Sequence, residues 1–168
     1  YSPLGTVAKK DTQKRRLILD LRELNKYIRP RHFKMENLND VVSQIKEGDF
    51  MTKVDLQDAF NHIGIHTSQR RFFRFRFEGR HYQWKALGFG VSSAPRMFTK
   101  ILAPVIGIMR NRGYRLVGYI DDILFMWSSK EEATKGTADV LTTLQAFGFT
   151  PNLKKSVTKP SRAMEFFG

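Results

Sequence analysis

The chain has 168 residues, 41% of them hydrophobic and 14 of them Phe, which excludes a disordered segment and suits one domain with a real core. Lys and Arg total 29 against 16 Asp and Glu, a net charge of +13, and such a surplus points to a polyanionic partner, nucleic acid ahead of an acidic membrane. No apolar run approaches the roughly 18 residues of a membrane span, and the absence of Cys rules out a disulfide scaffold or thiolate metal site, favouring an intracellular home, cytoplasmic or nuclear.

Along the chain, the first basic cluster comes early: ten Lys and Arg lie between Lys9 and Lys34 against Asp11, Asp20 and Glu23. A strand is expected at Arg16–Asp20. Leu38, Val41, Val42 and Ile45 fall at i, i+3, i+4 and i+7, predicting a helix that Gly48 stops. Strands follow at Met51–Val54, Ile63–His66, Phe72–Phe77 and Tyr82–Lys85. Around the last two, Arg70, Arg71, Arg74, Arg76 and Arg80 interleave with Phe72, Phe73, Phe75 and Phe77, the pattern of a phosphate-tracking surface. His62 and His66 would stand roughly 13 Å apart on such a strand, too far to share a zinc ion.

A second helix opens at Ser92 or Ser93 as N-cap, with Pro95 in its first turn and Gly113 at its end. Its predicted apolar stripe is Met97, Phe98, Ile101, Leu102, Val105 and Met109, and Pro104 should kink it. Strands at Leu116–Ile120 and Ile123–Trp127 form a hairpin central to a sheet. The third helix starts at Ser128 or Ser129, carries Glu131 and Glu132 near its positive end, and stops at Gly148. Strands grouped around helices, without strict alternation, predict an α+β layer in which helices back an antiparallel sheet.

The hairpin raises a chemical question. "LVGYIDDILFMW", residues 116–127, sets Asp121 and Asp122 between apolar arms. Two carboxylates about 4 Å apart repel by roughly 4 kcal/mol at an effective dielectric of 20. Turn chemistry favours Asn or Gly there, not Asp-Asp. Either one carboxyl is protonated or a cation sits between them; without Cys or a suitable His group, that cation is a hard one, Mg²⁺ or Mn²⁺. Asp55, directly after the strand at 51–54, is a third carboxylate that could converge on the pair. Three carboxylates from two segments can hold two divalent ions about 3.5–4 Å apart, the spacing of in-line phosphoryl transfer.

"YIDD" at 119–122, "VDLQDAF" at 54–60 and "LGFGVSSAPRMFTK" at 87–100, in this order, resemble the reverse transcriptases of LTR-type retroelements, nearest in flavour to DIRS-like elements and further from gypsy-like and retroviral enzymes. The resemblance covers essentially the whole chain. It implies the fingers and palm of a right-hand polymerase, fingers at about 1–50 and 63–87 and palm at about 51–62 and 88–168, with the thumb absent. It implies an RNA-directed DNA polymerase that adds deoxynucleotides to a primer 3′-hydroxyl on an RNA or DNA template with two Mg²⁺ ions. Asp55 and Asp121 would be the principal metal ligands and Asp122 a lesser one. Phe60 would be the steric gate against a ribose 2′-OH, with Asp58 and Ala59 leading the backbone past the triphosphate. Phe89 would line the nucleotide pocket and Gly90 allow close approach of template and nucleotide. Lys9, Lys10 and Arg16 match positions that grip the outer phosphates, Lys155 a position that can protonate the departing pyrophosphate, and Arg22 and Tyr119 positions against template and primer.

The chain departs from the family in reading Leu87-Gly88-Phe89-Gly90 where Leu-Pro-Phe-Gly is usual, and in lacking a Trp between Asp11 and Arg16. The alternative reading is a catalytically inactive nucleic-acid-binding remnant of the same fold. A plain RRM-like module lacks support, because its aromatic consensus is missing and carboxylates there would repel phosphate.

Overall fold

A computed structural model describes residues 1–8, 15–29 and 31–166. The described chain forms two compact units, Tyr1–His32 with Phe60–Phe98, and Phe33–Ala59 with Thr99–Gly168.

The first unit carries two antiparallel hairpins, β1 (Leu4–Ala8) with β2 (Arg15–Leu19) and β4 (Arg74–Phe77) with β5 (Arg80–Gln83). Glu78 and Gly79 turn the second hairpin with φ of 45° and 74°, the double left-handed pattern whose twist matches that of the paired strands. A short helix, α1 (Arg22–Asn25), follows β2. The stretch expected as a strand at 63–66 is not one. Only Gly64 pairs, with Ala86, and 3₁₀ segments at Ala59–His62 and Thr67–Phe73 flank it; four alternating residues without a full-length partner do not make a ladder. Phe72 and Phe73 accordingly belong to the second 3₁₀ segment rather than to β4.

The second unit is built on a four-stranded antiparallel sheet, ordered β6 (Arg115–Tyr119), β7 (Asp122–Trp127), β3 (Phe50–Asp55), β8 (Val157–Ser161). β7 is central and β6 is an edge strand, so only one arm of the expected central hairpin is interior. One face carries Met51, Val117, Leu124 and Met126, which pack with Val41 of α2 (Leu38–Val42) and with Met164 and Phe166. The opposite face carries Thr52, Phe125 and Trp127, all at 1% exposure or less. There the Trp127 indole N–H donates to Thr52 Oγ1 at 2.9 Å, and Thr137 of α4 (Lys130–Ala146) donates to the same oxygen at 2.9 Å. Both faces being covered explains why β7 reads as a continuous apolar run.

α2 ends at Val42, short of the expected Ile45, because Leu38, Val42 and Ile45 stay exposed and give no tertiary reason to continue. Its start is a capping box between Asn37 and Asp40. α3 (Ala94–Asn111) carries Pro104 inside it and follows the predicted span. Its buried stripe is Ala94, Phe98, Leu102, Val105, Ile106 and Met109, whereas Met97 and Ile101 face outward, so the stripe is shifted from the one the sequence suggested. For α4, Ser129 is the N-cap and accepts from the Glu132 N–H.

Candidate active site

The acidic end of the sheet lies wholly in the second unit. In the β3–β7 ladder Asp55 stands directly opposite Asp122, and Asp122 is also the register partner of Tyr119. The hairpin turn is therefore Ile120–Asp121, one residue earlier than an Asp121–Asp122 turn. Ile120 has φ 53°, a first turn position that favours Gly and strains a β-branched side chain. The shift places Asp121 in the turn and Asp122 on the strand, so the two carboxylates leave the backbone from different geometries. Asp121 is tied in by its own carbonyl, which accepts from the Leu56 N–H at 2.8 Å.

Asp55 ends β3 and is held from the other side by the segment after α4. Its N–H donates to Ser156 Oγ at 3.0 Å, its C=O accepts from the Asn152 N–H at 2.8 Å, and Ser156 Oγ donates to the Asn152 carbonyl. Burial pushes the Asp55 carboxyl up, and the charges of Asp121 and Asp122 add to this against Lys155 and a side-chain bond from Asn152. Burial likewise pushes Asp122 up, with Lys53 and Lys155 opposing and Asp121 assisting. Three carboxylates thus share one field, with Lys53 and Lys155 as the nearby cations.

Among the described residues no three His, Cys, Asp or Glu side chains form a ready-made metal cage. Mg²⁺ rarely needs one, since it is ordinarily held by one or two carboxylates with water and substrate phosphates completing its shell. An opposed, partly buried carboxylate pair with a third carboxylate beside it fits that chemistry, because a hard cation relieves what burial has raised.

A second group of candidates lies in the first unit. The Arg16 guanidinium sits over the Phe89 ring, 4.1 Å from its centroid. Phe89 meets Phe60 edge-on at 5.2 Å between centroids, and Phe60 meets Phe98 at 6.1 Å. Arg16 Nε is buried without a hydrogen-bond partner, a donor that an anion could satisfy. Gly90 has φ 108°, and a Cβ there would lie 2.7 Å from the Leu19 carbonyl oxygen; the nearest thing a side chain would strike is the chain's own backbone. Asn25 holds the same turn, donating to the Gly90 carbonyl at 2.8 Å and accepting from the Ser92 N–H at 2.9 Å.

Arg22 is engaged by Asp20 through paired contacts of 3.0 and 2.7 Å, and the guanidinium holds the Asp20 carboxyl down to about 2. Asp58 has φ 46°, which Asp tolerates better than most residues, and Ala59 is buried at the start of its 3₁₀ segment. Lys155 lies in the turn after Asn152, donating its N–H to the Asn152 carbonyl. Lys9 and Lys10 lie outside the described residues. Among the described residues no helix is long and apolar enough to cross a membrane.

Sequence reasoning passed over Asn152, Ser156 and Lys53. The first two flank Lys155 in "NLKKS", and Lys53 sits two residues before Asp55 on the same strand face, so strand period and neighbourhood were the available signals.

Comparison with known proteins bears on the whole arrangement. The chain is 28% identical over 155 residues to the genome polyprotein of Petunia vein clearing virus, covering 92% of the chain and 7% of the polyprotein. It is 27% identical over 130 residues to the transposon Tf2-3 polyprotein of Schizosaccharomyces pombe, covering 77% of the chain and 10% of that relative. The chain therefore matches a small part of each. Among solved structures, a foamy viral protease–reverse transcriptase in complex with dsDNA superposes with TM-score 0.86 at 24% identity, over 99% of this chain and 34% of that one. The same viral protein in complex with an RNA/DNA hybrid gives TM-score 0.76 at 26% identity, over 93% and 20%. The family profile described as reverse transcriptase (RNA-dependent DNA polymerase) matches residues 7–168, and the chain belongs to that family.

Proposed function

We propose that the chain is the fingers and palm part of a retroelement polymerase that extends a primer on RNA or DNA with deoxynucleoside triphosphates. The observation that carries this is the register of Asp55 against Asp122, with Asp121 in the adjoining turn. We assign the palm to the second unit and the fingers to the first.

Asp55, Asp121 and Asp122 would hold the divalent cations, Mg²⁺ or Mn²⁺, that lower the pKa of a primer 3′-hydroxyl and neutralise a triphosphate when bound. The chain's own groups position and balance charge. Ser156 and Asn152 fix the backbone of Asp55, so its carboxylate is aimed without rearrangement. Lys155, whose charge reaches both Asp55 and Asp122, is placed to offset phosphate charge and to give a proton to departing pyrophosphate. Arg16, stacked on Phe89 with its Nε unpaired, supplies donors for a phosphate oxygen. Phe60, braced by Phe89 and Phe98, presents a rigid ring against which a ribose 2′-OH would clash. The net charge of +13 suits a duplex whose contacts are mainly phosphate, so binding should weaken steeply with salt.

The test is single-nucleotide primer extension by the protein in its full natural length, against Asp121→Asn. Loss of extension with retained duplex binding supports the reading. Extension near the wild-type rate in the variant would overturn it, and duplex binding without extension by the wild type would favour the inactive remnant.

A further inference from the structure

β6 is the outer strand on its side of the sheet, yet its outer edge is not bare. A two-residue turn makes Tyr119 and Asp122 a hydrogen-bonded pair, as are Val117 and Leu124, so Leu116 and Gly118 turn their backbone groups outward. Of the four groups these two residues turn outward, one N–H and one C=O meet side chains. The Gly118 N–H donates to Glu36 Oε2 at 2.7 Å, and the Leu116 carbonyl accepts from Arg110 Nη2 at 3.1 Å. Arg110 also donates to the other oxygen of Glu36. One carboxylate and one guanidinium thus stand where a fifth strand would place a carbonyl and an N–H. Glu36 arrives from just before α2 and Arg110 from the last turn of α3.

This clamp ends two residues before the strained turn at Ile120. Ile120 borders a hollow of about 160 Å³, lined also by Lys34, Leu102 and Ile106, so close packing does not hold the turn from that side. Pairing with β7 and the Leu56 N–H on the Asp121 carbonyl hold it from inside, and the clamp holds β6 from outside.

We propose that Glu36 is a positioning residue for Asp121 and Asp122, acting with Arg110 to fix the outer edge of the strand that delivers them. This rests on the reading of the three aspartates as the polymerase centre. Glu36 touches neither cation nor substrate; removing it frees the outer edge of β6 and leaves the turn to its inner ties, the β7 pairing and the Leu56 N–H on the Asp121 carbonyl.

The test compares wild type, Glu36→Ala, Glu36→Gln and Asp139→Asn in the full-length protein. Asp139 is the control because it makes a similar surface ion pair, to Arg112 at 2.8 Å, in the same unit. Two readouts are taken: single-nucleotide extension resolved into kcat and KM for the deoxynucleotide, and the Mn²⁺ concentration giving half of the maximal thermal stabilisation. Since displacing a reacting group by about 1 Å can cost on the order of a hundredfold, Glu36→Ala should lower kcat by about tenfold or more with KM within about twofold. It should also raise the Mn²⁺ half-point. Glu36→Gln keeps an oxygen for Gly118 and should recover part of both, and Asp139→Asn should change melting temperature alone. The clamp is overturned if Glu36→Ala loses only thermal stability, as the control does. If Glu36→Ala does not fold, Glu36→Gln decides, and wild-type kcat and Mn²⁺ response in it overturn the proposal. An active wild type, an inactive Asp121→Asn and an unaffected Glu36→Ala sink the clamp alone; a wild type with neither extension nor metal response sinks the polymerase reading and the clamp with it.

Discussion

Asp55 and Asp122 face each other across the β3–β7 ladder, and burial holds both carboxyls above the ordinary carboxylate range although Lys155 pulls both the other way and Lys53 pulls on Asp122. A group whose pKa is raised by folding keeps its proton longer in the native state than in the unfolded one. The metal-free protein therefore loses stability from these two groups as pH climbs from the ordinary carboxylate value through the raised ones, and stays penalised above.

The measurement is the difference in melting temperature between wild type and Asp122→Asn, followed from pH 4 to pH 8 without divalent cations. The variant should be the more stable at neutral pH, by about 2–4 °C per kcal/mol of relieved penalty, and the gap should close toward acid. Adding Mg²⁺ should raise the wild type and leave the variant behind. A wild type that gains on the variant as pH rises, without metal, would contradict the assignment.

Asp49 behaves oppositely. Its carboxylate, at 4% side-chain exposure, accepts from both terminal nitrogens of Arg115 at 2.5 and 2.7 Å and from the Lys46 N–H at 2.7 Å. Arg115 holds its pKa below the usual range, so its contribution is present above the unfolded carboxylate value and disappears as pH falls through the lowered one. Asp49→Ala should cost about 3–5 kcal/mol because it strands a part-buried guanidinium. Urea unfolding at pH 7 measures this, and a loss below about 1 kcal/mol would show the pair to be incidental.

Ile120 carries a left-handed φ that costs roughly 1–3 kcal/mol. Glycine removes that strain while giving up a side chain that only lines a hollow. Ile120→Gly should therefore shift stability by less than about 1 kcal/mol, whereas Ile123→Ala, three residues on at 0% exposure, should cost about 2–5 kcal/mol. Equal losses at the two positions, in the same denaturant titration, would rule out strain in the turn.

Two glycines in helices make a matched pair. A Cβ on Gly136 of α4 would lie 2.1 Å from the Trp127 ring, while one on Gly107 of α3 meets nothing within 4 Å. Gly136→Ala should destabilise by about 1–3 kcal/mol or more through overpacking. Gly107→Ala should stabilise by about 0.5–1 kcal/mol through reduced backbone freedom. Calorimetric melting of the two variants distinguishes them by sign.

What the sequence disclosed follows where burial writes a pattern. β7 and α3 bury long apolar runs and were legible as elements; so was α4, whose Ser129 cap and Gly148 stop are local signals. β1 and β8 are mostly exposed, and β8 contains Pro160, so backbone pairing forms them without an apolar alternation to announce it. The turn was misplaced by one residue because Ile at positive φ is a choice that local rules reject, and only the ladder on either side enforces it. Met97 and Ile101 fit a helical stripe on paper but face outward, since a helix wheel does not know which way its neighbours lie. Glu36 carried no motif; its role depends on Gly118 and Arg110, which are more than 70 residues away in the chain.

The side-chain capping of β6 has a further effect on how the molecule meets its own copies. Bare strand edges recruit other chains into mixed sheets, and proteins guard against it. Here Glu36 and Arg110 occupy one outward N–H and one outward C=O that an incoming strand would need, so full strand addition at β6 requires the ion pair to open first. Concentrated salt, which screens that pair, should bring the onset of β-rich self-association to lower protein concentration.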